Sequence, residues 1–205
     1  AVEQITNLVE LAREVRLASM VFNAANYAAT NQQTLAGTDQ FSDLANSNPI
    51  GIIMDALDNM VMRGNIMTIG RQAYSILARH PDIVKAAHGN SGDKGVAHRD
   101  AIKELFELDD ILVGEARVNV AKKGQAANLQ RAWGKHISLQ YRDKLADTRT
   151  GMTFALTAQF GDRVAGAKED SDIGLRGGQR VRAGESVKEL LTANDLAFFI
   201  QNAVA

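Results

Sequence analysis

Residues 48–83 read NPIGIIMDALDNMVMRGNIMTIGRQAYSILARHPDI, and their patterning decides the fold class. Asn46, Ser47 and Asn48 are good N-cap types, and Pro49 suits a first helical position, where no amide hydrogen is needed. Ile50, Ile53, Met54, Leu57, Met60 and Val61 then recur at spacings of three and four, with Asp55, Asp58 and Asn59 on the other side. Gly64 ends that helix. The apolar run Ile66 to Ile69 fits a short buried strand. Arg71 to Arg79 reads as a second helix with Ala73, Ile76 and Leu77 inward, and Pro81 ends or bends it. A helix–strand–helix unit of this kind needs further strands to cover it, so the chain is expected to be α+β.

Upstream, Glu3 to about Asn26 reads as one long helix with Ile5, Leu8, Val9, Ala12, Val15, Ser19 and Phe22 on one stripe. At ~1.5 Å per residue it spans about 35 Å, enough to cross a small domain and leave part of its length for neighbours. Tyr27 to Asn48 is a polar crossing with two apolar anchors, Phe41 and Leu44. Downstream, His88 to Ala97 (HGNSGDKGVA) reads as an exposed, mobile tip and a candidate contact loop. Asp100 to Glu107 resumes as helix, and Ile111 to Val113 is a buried strand closed by Gly114. Val118 to Ala132 holds a turn at KKGQ and a polar run. Lys135 to Arg142 and Thr153 to Phe160 alternate as strands, the first with Ile137, Leu139 and Tyr141 on one face and Ser138 and Gln140 on the other. Gly161 to Gly178 reads as a charged, protruding loop. Arg180 to Arg182 and Glu185 to Leu191 read as strand, with Leu196 to Val204 as a final strand and hairpin partner.

Composition sets the function classes. The chain has 205 residues, a formal net charge of -1 and no cysteine. A chain built to grip DNA or RNA carries a basic surplus, so tight nucleic-acid binding is disfavoured. The absence of cysteine rules out disulfides and thiolate metal sites and fits an intracellular folding history. No apolar run approaches the ~18 residues of a membrane span. The chain opens on Ala1 and enters a helix at once, and so reads as a fragment or a processed product.

Chemistry-bearing motifs are scarce. His88, Asp93 and His98 are the best metal-ligand candidates, but they lie in or beside one Gly-rich loop without HExxH spacing. His80 is expected at a helix C-terminus and His136 in a structural role beside a strand. Trp133 is expected to pack half-buried. No nucleophile elbow, phosphate loop or dinucleotide fingerprint is present, so no catalytic residue, metal or cofactor is assigned. Arg176-Gly177-Gly178 resembles an RGG element but occurs once and lacks aromatic companions.

The order of blocks carries more than any motif. Long helix, polar crossing, NPIGIIMDALDNM, NIMTIGRQAYSILARHPDI, a Gly-rich loop, LFELDDILVGEARVN, WGKHISLQYRD and GESVKELLTANDLAFFIQNAV follow one another. This series resembles the major capsid proteins of tailed bacteriophages, the Mu-like group in particular, across essentially the whole chain. The resemblance implies a Hong Kong 97-like capsid fold: a peripheral domain over 1–48 and 145–205, with a spine helix and an antiparallel sheet, and an axial domain over 49–144, with a central sheet flanked by helices. It implies an N-terminal arm and an extended β-hairpin loop before the spine helix; neither is found after Ala1. It further implies a non-enzymatic virion protein, assembled in the bacterial host cytoplasm from copies of itself in pentamers and hexamers. A scaffold would assist assembly, and double-stranded DNA would be enclosed without sequence-specific contacts or a membrane. Expected subunit-contact residues are Asp162, Arg163, Lys168, Glu169, Asp170, Arg176 and Arg180 in the mixed-sign loop, and Asn90, Asp93 and Lys94 in the Gly-rich tip. Three rivals stand beside this reading: an encapsulin-type compartment shell, a metal-dependent hydrolase using His88, Asp93 and His98, and a nucleic-acid module centred on Arg176 to Arg182.

Overall fold

The computed structural model describes residues 2–89, 94–147 and 149–205. Five α-helices are described: α1 (Val2–Val21), α2 (Pro49–Asp58), α3 (Arg71–Leu77), α4 (Pro81–His88) and α5 (Arg99–Phe106). The strands are β1 (Gln32–Thr34), β2 (Ile66–Gly70), β3 (Asp110–Gly114), β4 (Arg117–Asn119), β5 (Leu129–Arg131), β6 (Ile137–Gln140), β7 (Ala155–Gln159), β8 (Val164–Asp170), β9 (Gly178–Gly184), β10 (Val187–Leu191) and β11 (Ala197–Gln201). The mixture is α+β, as the sequence predicts.

One five-stranded sheet, in the order β1-β11-β6-β2-β3, organises the molecule. All five residues of β2 are buried, as its apolar run requires. Its partners are β3, parallel, and β6, antiparallel. The register aligns Met67 with Ile111 and Leu139, and Ile69 with Val113 and Ile137. Phe198 and Ile200 of β11 extend the row. Because side chains alternate along a strand, this apolar set shares one face. Ile53, Leu57, Ala73, Leu77, Ile83, Ile102 and Phe106 from the helices α2–α5 cover it.

Helix starts follow the local chemistry. The Asn48 side chain accepts from the Gly51 amide, and Pro49 opens α2. Pro81 does not end or bend a helix here; it opens α4, with His80 as the N-cap. The reason is the same as at Pro49: proline lacks the amide hydrogen that a first turn cannot use. His80 is therefore not at a helix C-terminus. It is fully buried, with Nε2 3.0 Å from Ser47 Oγ and Nδ1 accepting from the Asp82 amide.

The opposite face of the sheet and its far edge explain two departures from the sequence reading. Ser138 lies on the face opposite Ile137 and Leu139, as its alternation predicts, and that face is covered too: Ser138 is fully buried. Tyr27 covers it, its hydroxyl 2.7 Å from Ser138 Oγ and donating to the Val21 carbonyl at 2.6 Å. A buried hydroxyl with partners costs little. The crossing 27–48 is more than a loop: it carries β1, which pairs in parallel with β11. Phe41 and Leu35 are buried, while Leu44 stays 48% exposed. The last strand does not join β10, which pairs with β7 instead. It inserts between β1 and β6 because it is apolar on both faces: Phe198 enters the helical layer, and Phe199 stacks on Tyr27 at 5.0 Å. An exposed ribbon would leave one phenylalanine in water.

Two further segments gain structure. The run 118–132 closes into the β4–β5 hairpin. Gly161 to Gly178 is not a loop throughout, since β8 and β9 form a long antiparallel ribbon. Trp133 is more buried than half, at 8% exposure. It lies against Gly114, where a Cβ would stand 2.0 Å from its ring, so only glycine fits there. Its indole nitrogen donates to Glu14 at 2.8 Å and ties α1 to the sheet.

Candidate assembly surface

The helix α1 is a rod with one buried end. Ala18 and Val21 pack with Trp133, but Leu8, in the predicted apolar stripe, is 65% exposed. The β8–β9 ribbon lies along the outer half of α1. Arg163 at the ribbon base reaches Glu10 at 2.8 Å, and just past the ribbon Arg13 reaches Glu185 at 3.2 Å. On β10, Glu189 is held by Arg16 at 2.9 Å, and the Arg16 hydrogen bond keeps its carboxyl below the usual carboxylate range. Arg163–Glu10 is an exposed pair, worth ~0–1 kcal/mol, whereas the Glu185 and Glu189 side chains that meet Arg13 and Arg16 are largely buried.

Cross-strand register splits the ribbon into two faces. Gly166 faces Arg182 and Lys168 faces Arg180, with Asp170 next along the same face. The other face is small and apolar near the base, with Ala165 opposite Ala183 and Ala167 opposite Val181, and polar toward the tip, where Glu169 lies opposite Gln179. Like charges directly opposite destabilise a ladder, and here Asp170 relieves one of them by pairing with Arg180 at 2.6 Å. At the far end, Gly174 and Gly177 take φ of 65° and 74°, the left-handed region that glycine tolerates, and turn the chain between the strands.

The expected contact residues divide accordingly. Arg163, Asp170 and Arg180 make ion pairs within the chain. Asp162, Lys168, Glu169 and Arg176 are exposed and make no ion pair or side-chain hydrogen bond among the described residues. Lys94 is exposed; Asn90 and Asp93 lie outside the described residues. Sequence reasoning passed over the apolar part of this surface. Leu175 at the ribbon tip is fully exposed and Ile173 beside it is 38% exposed. The signal was available in Ile173-Gly174-Leu175, where an apolar residue stands on each side of a turn glycine.

The other candidates are placed differently. His88 ends α4, and His98 is the residue before α5, while Asp93 is outside the described residues. Among the described residues no three histidine, aspartate or glutamate side chains cluster to hold a metal. Arg176 and Arg182 sit on the ribbon, without an aromatic side chain between them. His136 packs on Phe22 and Phe199 and accepts the Asn202 amide at Nδ1, and burial lowers its pKa. Burial also lowers that of His80, against the opposing pull of Asp82. Among the described residues no helix is long and apolar enough to cross a membrane.

No protein-family model matches the chain. Individual proteins do. The chain is 58% identical over all 205 residues to the major capsid protein of Pseudomonas phage JBD67, spanning 66% of that protein. It is 33% identical over 145 residues to the major capsid protein of Burkholderia phage BcepMu, spanning 69% of this chain and 45% of that one. Among solved structures, a phage-related protein from Bordetella bronchiseptica RB50 superposes with a TM-score of 0.82 over 98% of this chain and 65% of its own, at 21% identity. A virus-like particle protein from Pyrococcus furiosus gives 0.52 over 94% of this chain and 64% of its own, at 10% identity, a likeness of fold alone. Along all 205 of its residues the chain is similar to a phage major capsid protein, and it spans just under two thirds of that protein's length.

Proposed function

We propose that this chain is the structural subunit of an icosahedral phage or prophage head and works by self-assembly, not turnover. The observation that carries the reading is the 58% identity to the JBD67 capsid protein along every residue of the chain. In this reading the architecture is of the Hong Kong 97 type. Residues 1–48 and 145–205 form the peripheral lobe and 49–144 the axial lobe, with β1 and β11 reaching across to complete the axial sheet. Copies close into pentamers and hexamers around a scaffold in the host cytoplasm. Asp162, Lys168, Glu169 and Arg176 on the ribbon, with Asn90, Asp93 and Lys94 in the Gly-rich loop, meet neighbouring copies.

The net charge of -1 supports a wall around double-stranded DNA. A strongly basic inner surface would bind the genome where it must slide during packaging. An encapsulin-type compartment would share the fold, so particle content is the test. Particles purified from the producing cell and treated with nuclease should retain protected double-stranded DNA. Protein cargo without DNA would replace the head reading with the compartment.

A further inference from the structure

The rod formed by α1 has a knob beyond one end and a groove at the other. The ribbon runs toward the start of α1: Glu185 pairs with Arg13, Arg163 pairs with Glu10, and Ile5 shares a concavity with Val181 and Arg182. Seven-residue strands at ~3.3 Å per residue extend over 20 Å, whereas Glu10 to Val2 rises only ~12 Å. The tip with Leu175 and Arg176 therefore overhangs the first turn of the helix. At the opposite end, Glu14, Leu17 and Val21 of α1 face Leu112 of β3 and Trp133 across a groove of about 310 Å³. Leu112 is 42% exposed while Thr68, its partner on β2, is 5% exposed. The tip cannot reach this groove in its own chain.

We propose that the ribbon tip of one copy seats in the α1–β3 groove of a second copy, Leu175 against Leu112 and Leu17 and Arg176 beside Glu14. This rests on the reading of the chain as a self-assembling subunit and names the two surfaces that meet. Single exposed leucines are ordinary; what selects this pair is complementarity. Among the described residues Arg176 has no partner and Glu14 is the only carboxylate lining the groove. Glu14 takes one hydrogen bond from Trp133, and a carboxylate has capacity for more. A second apolar concavity away from the ribbon, at Leu44 and Ile76, is lined by Arg79, which would repel Arg176. A knob and a groove at opposite ends of one rod make a head-to-tail contact, the kind that closes copies into rings.

The absence of native cysteine makes the test clean. Leu175→Cys and Leu112→Cys are made in separate, differently tagged chains, mixed under assembly conditions and oxidised mildly. The control replaces Leu112→Cys with Val61→Cys, at a site 78% exposed on another surface. The expected result is a mixed disulfide dimer formed several-fold more with Leu112→Cys than with the control. Adding Arg176→Glu to the Leu175→Cys chain should cut it several-fold, and Glu14→Arg in the partner chain should restore it. Assembled material with equal yields for both pairs would overturn the contact while leaving self-assembly intact. A chain that stays monomeric throughout would overturn the self-assembly reading, and the contact with it.

Discussion

At Tyr27 one hydroxyl closes a gap between three elements. It donates to the Val21 carbonyl at the end of α1 and meets Ser138 on β6, while its ring stacks on Phe154 and Phe199. Burial pushes its phenol far above the ordinary range, so it stays protonated. Tyr27→Phe keeps the stacking but leaves the Val21 carbonyl without that donor. The expected loss is ~1–2 kcal/mol in urea unfolding, with the fold retained. Buried His80 and half-buried His136 predict an acid response. Both have folded pKa values below the unfolded ~6.5, so the unfolded chain binds protons first as pH falls. Their contribution is complete above about 6.5 and is lost as pH drops through the folded values. Denaturation midpoints should fall below that pH, and His136→Gln should flatten part of the fall. A midpoint independent of pH across that window would contradict it.

Among the elements, α1 and α2 differ in how much of their apolar face the chain itself covers. Leu57 on α2 is 1% exposed beneath the sheet, whereas Leu8 on α1 is 65% exposed. Leu57→Asp should abolish cooperative folding, since a carboxylate there has no partner. Leu8→Asp should move the melting temperature by little and impair only association. The ribbon should behave as a separately loosened unit. Arg163→Ala, which removes the exposed pair with Glu10, should raise hydrogen exchange in β8 and β9 while global stability falls by no more than ~1 kcal/mol. The buried elements were the legible ones. Residues 48–83 announce α2, β2 and α3 through apolar spacing and an N-cap, because burial on one side dictates that pattern. Legibility failed where long-range pairing decides. β1 is Gln32-Gln33-Thr34, with no strand pattern of its own, and exists because β11 offers an edge. β11 was recognised as a strand but given the wrong neighbour, since strand propensity does not name a partner. Of the ribbon, Arg180 to Arg182 in β9 reads as strand, but β8 does not, because Val164-Ala165-Gly166-Ala167 is small and exposed and lacks the alternation of a half-buried strand. In the candidate site the charges stood out in the sequence, but which were already paired within the chain, as in Arg180–Asp170, required the cross-strand register.

For the whole molecule, a compact helix-covered sheet carries an incompletely covered rod and ribbon. Ile53, Leu57, Leu77, Ile83, Ile102 and Phe106 of α2–α5 are buried against the sheet, while Leu8, Val164, Leu175 and Phe160 remain at 62% exposure or more on the rod, the ribbon and the start of the loop into it. That asymmetry, with a net charge near zero that lets copies approach without strong mutual repulsion, is what a tiling subunit needs. On the proposed reading, assembly is spread over surfaces, which is why no single motif announces it. The most direct measurement of this claim is sedimentation velocity of the purified chain over a concentration series, with micrographs of the fastest fraction. The account predicts concentration-dependent growth into closed rings or shells of uniform size. A single monomer boundary at every concentration, with an empty micrograph field, would contradict it.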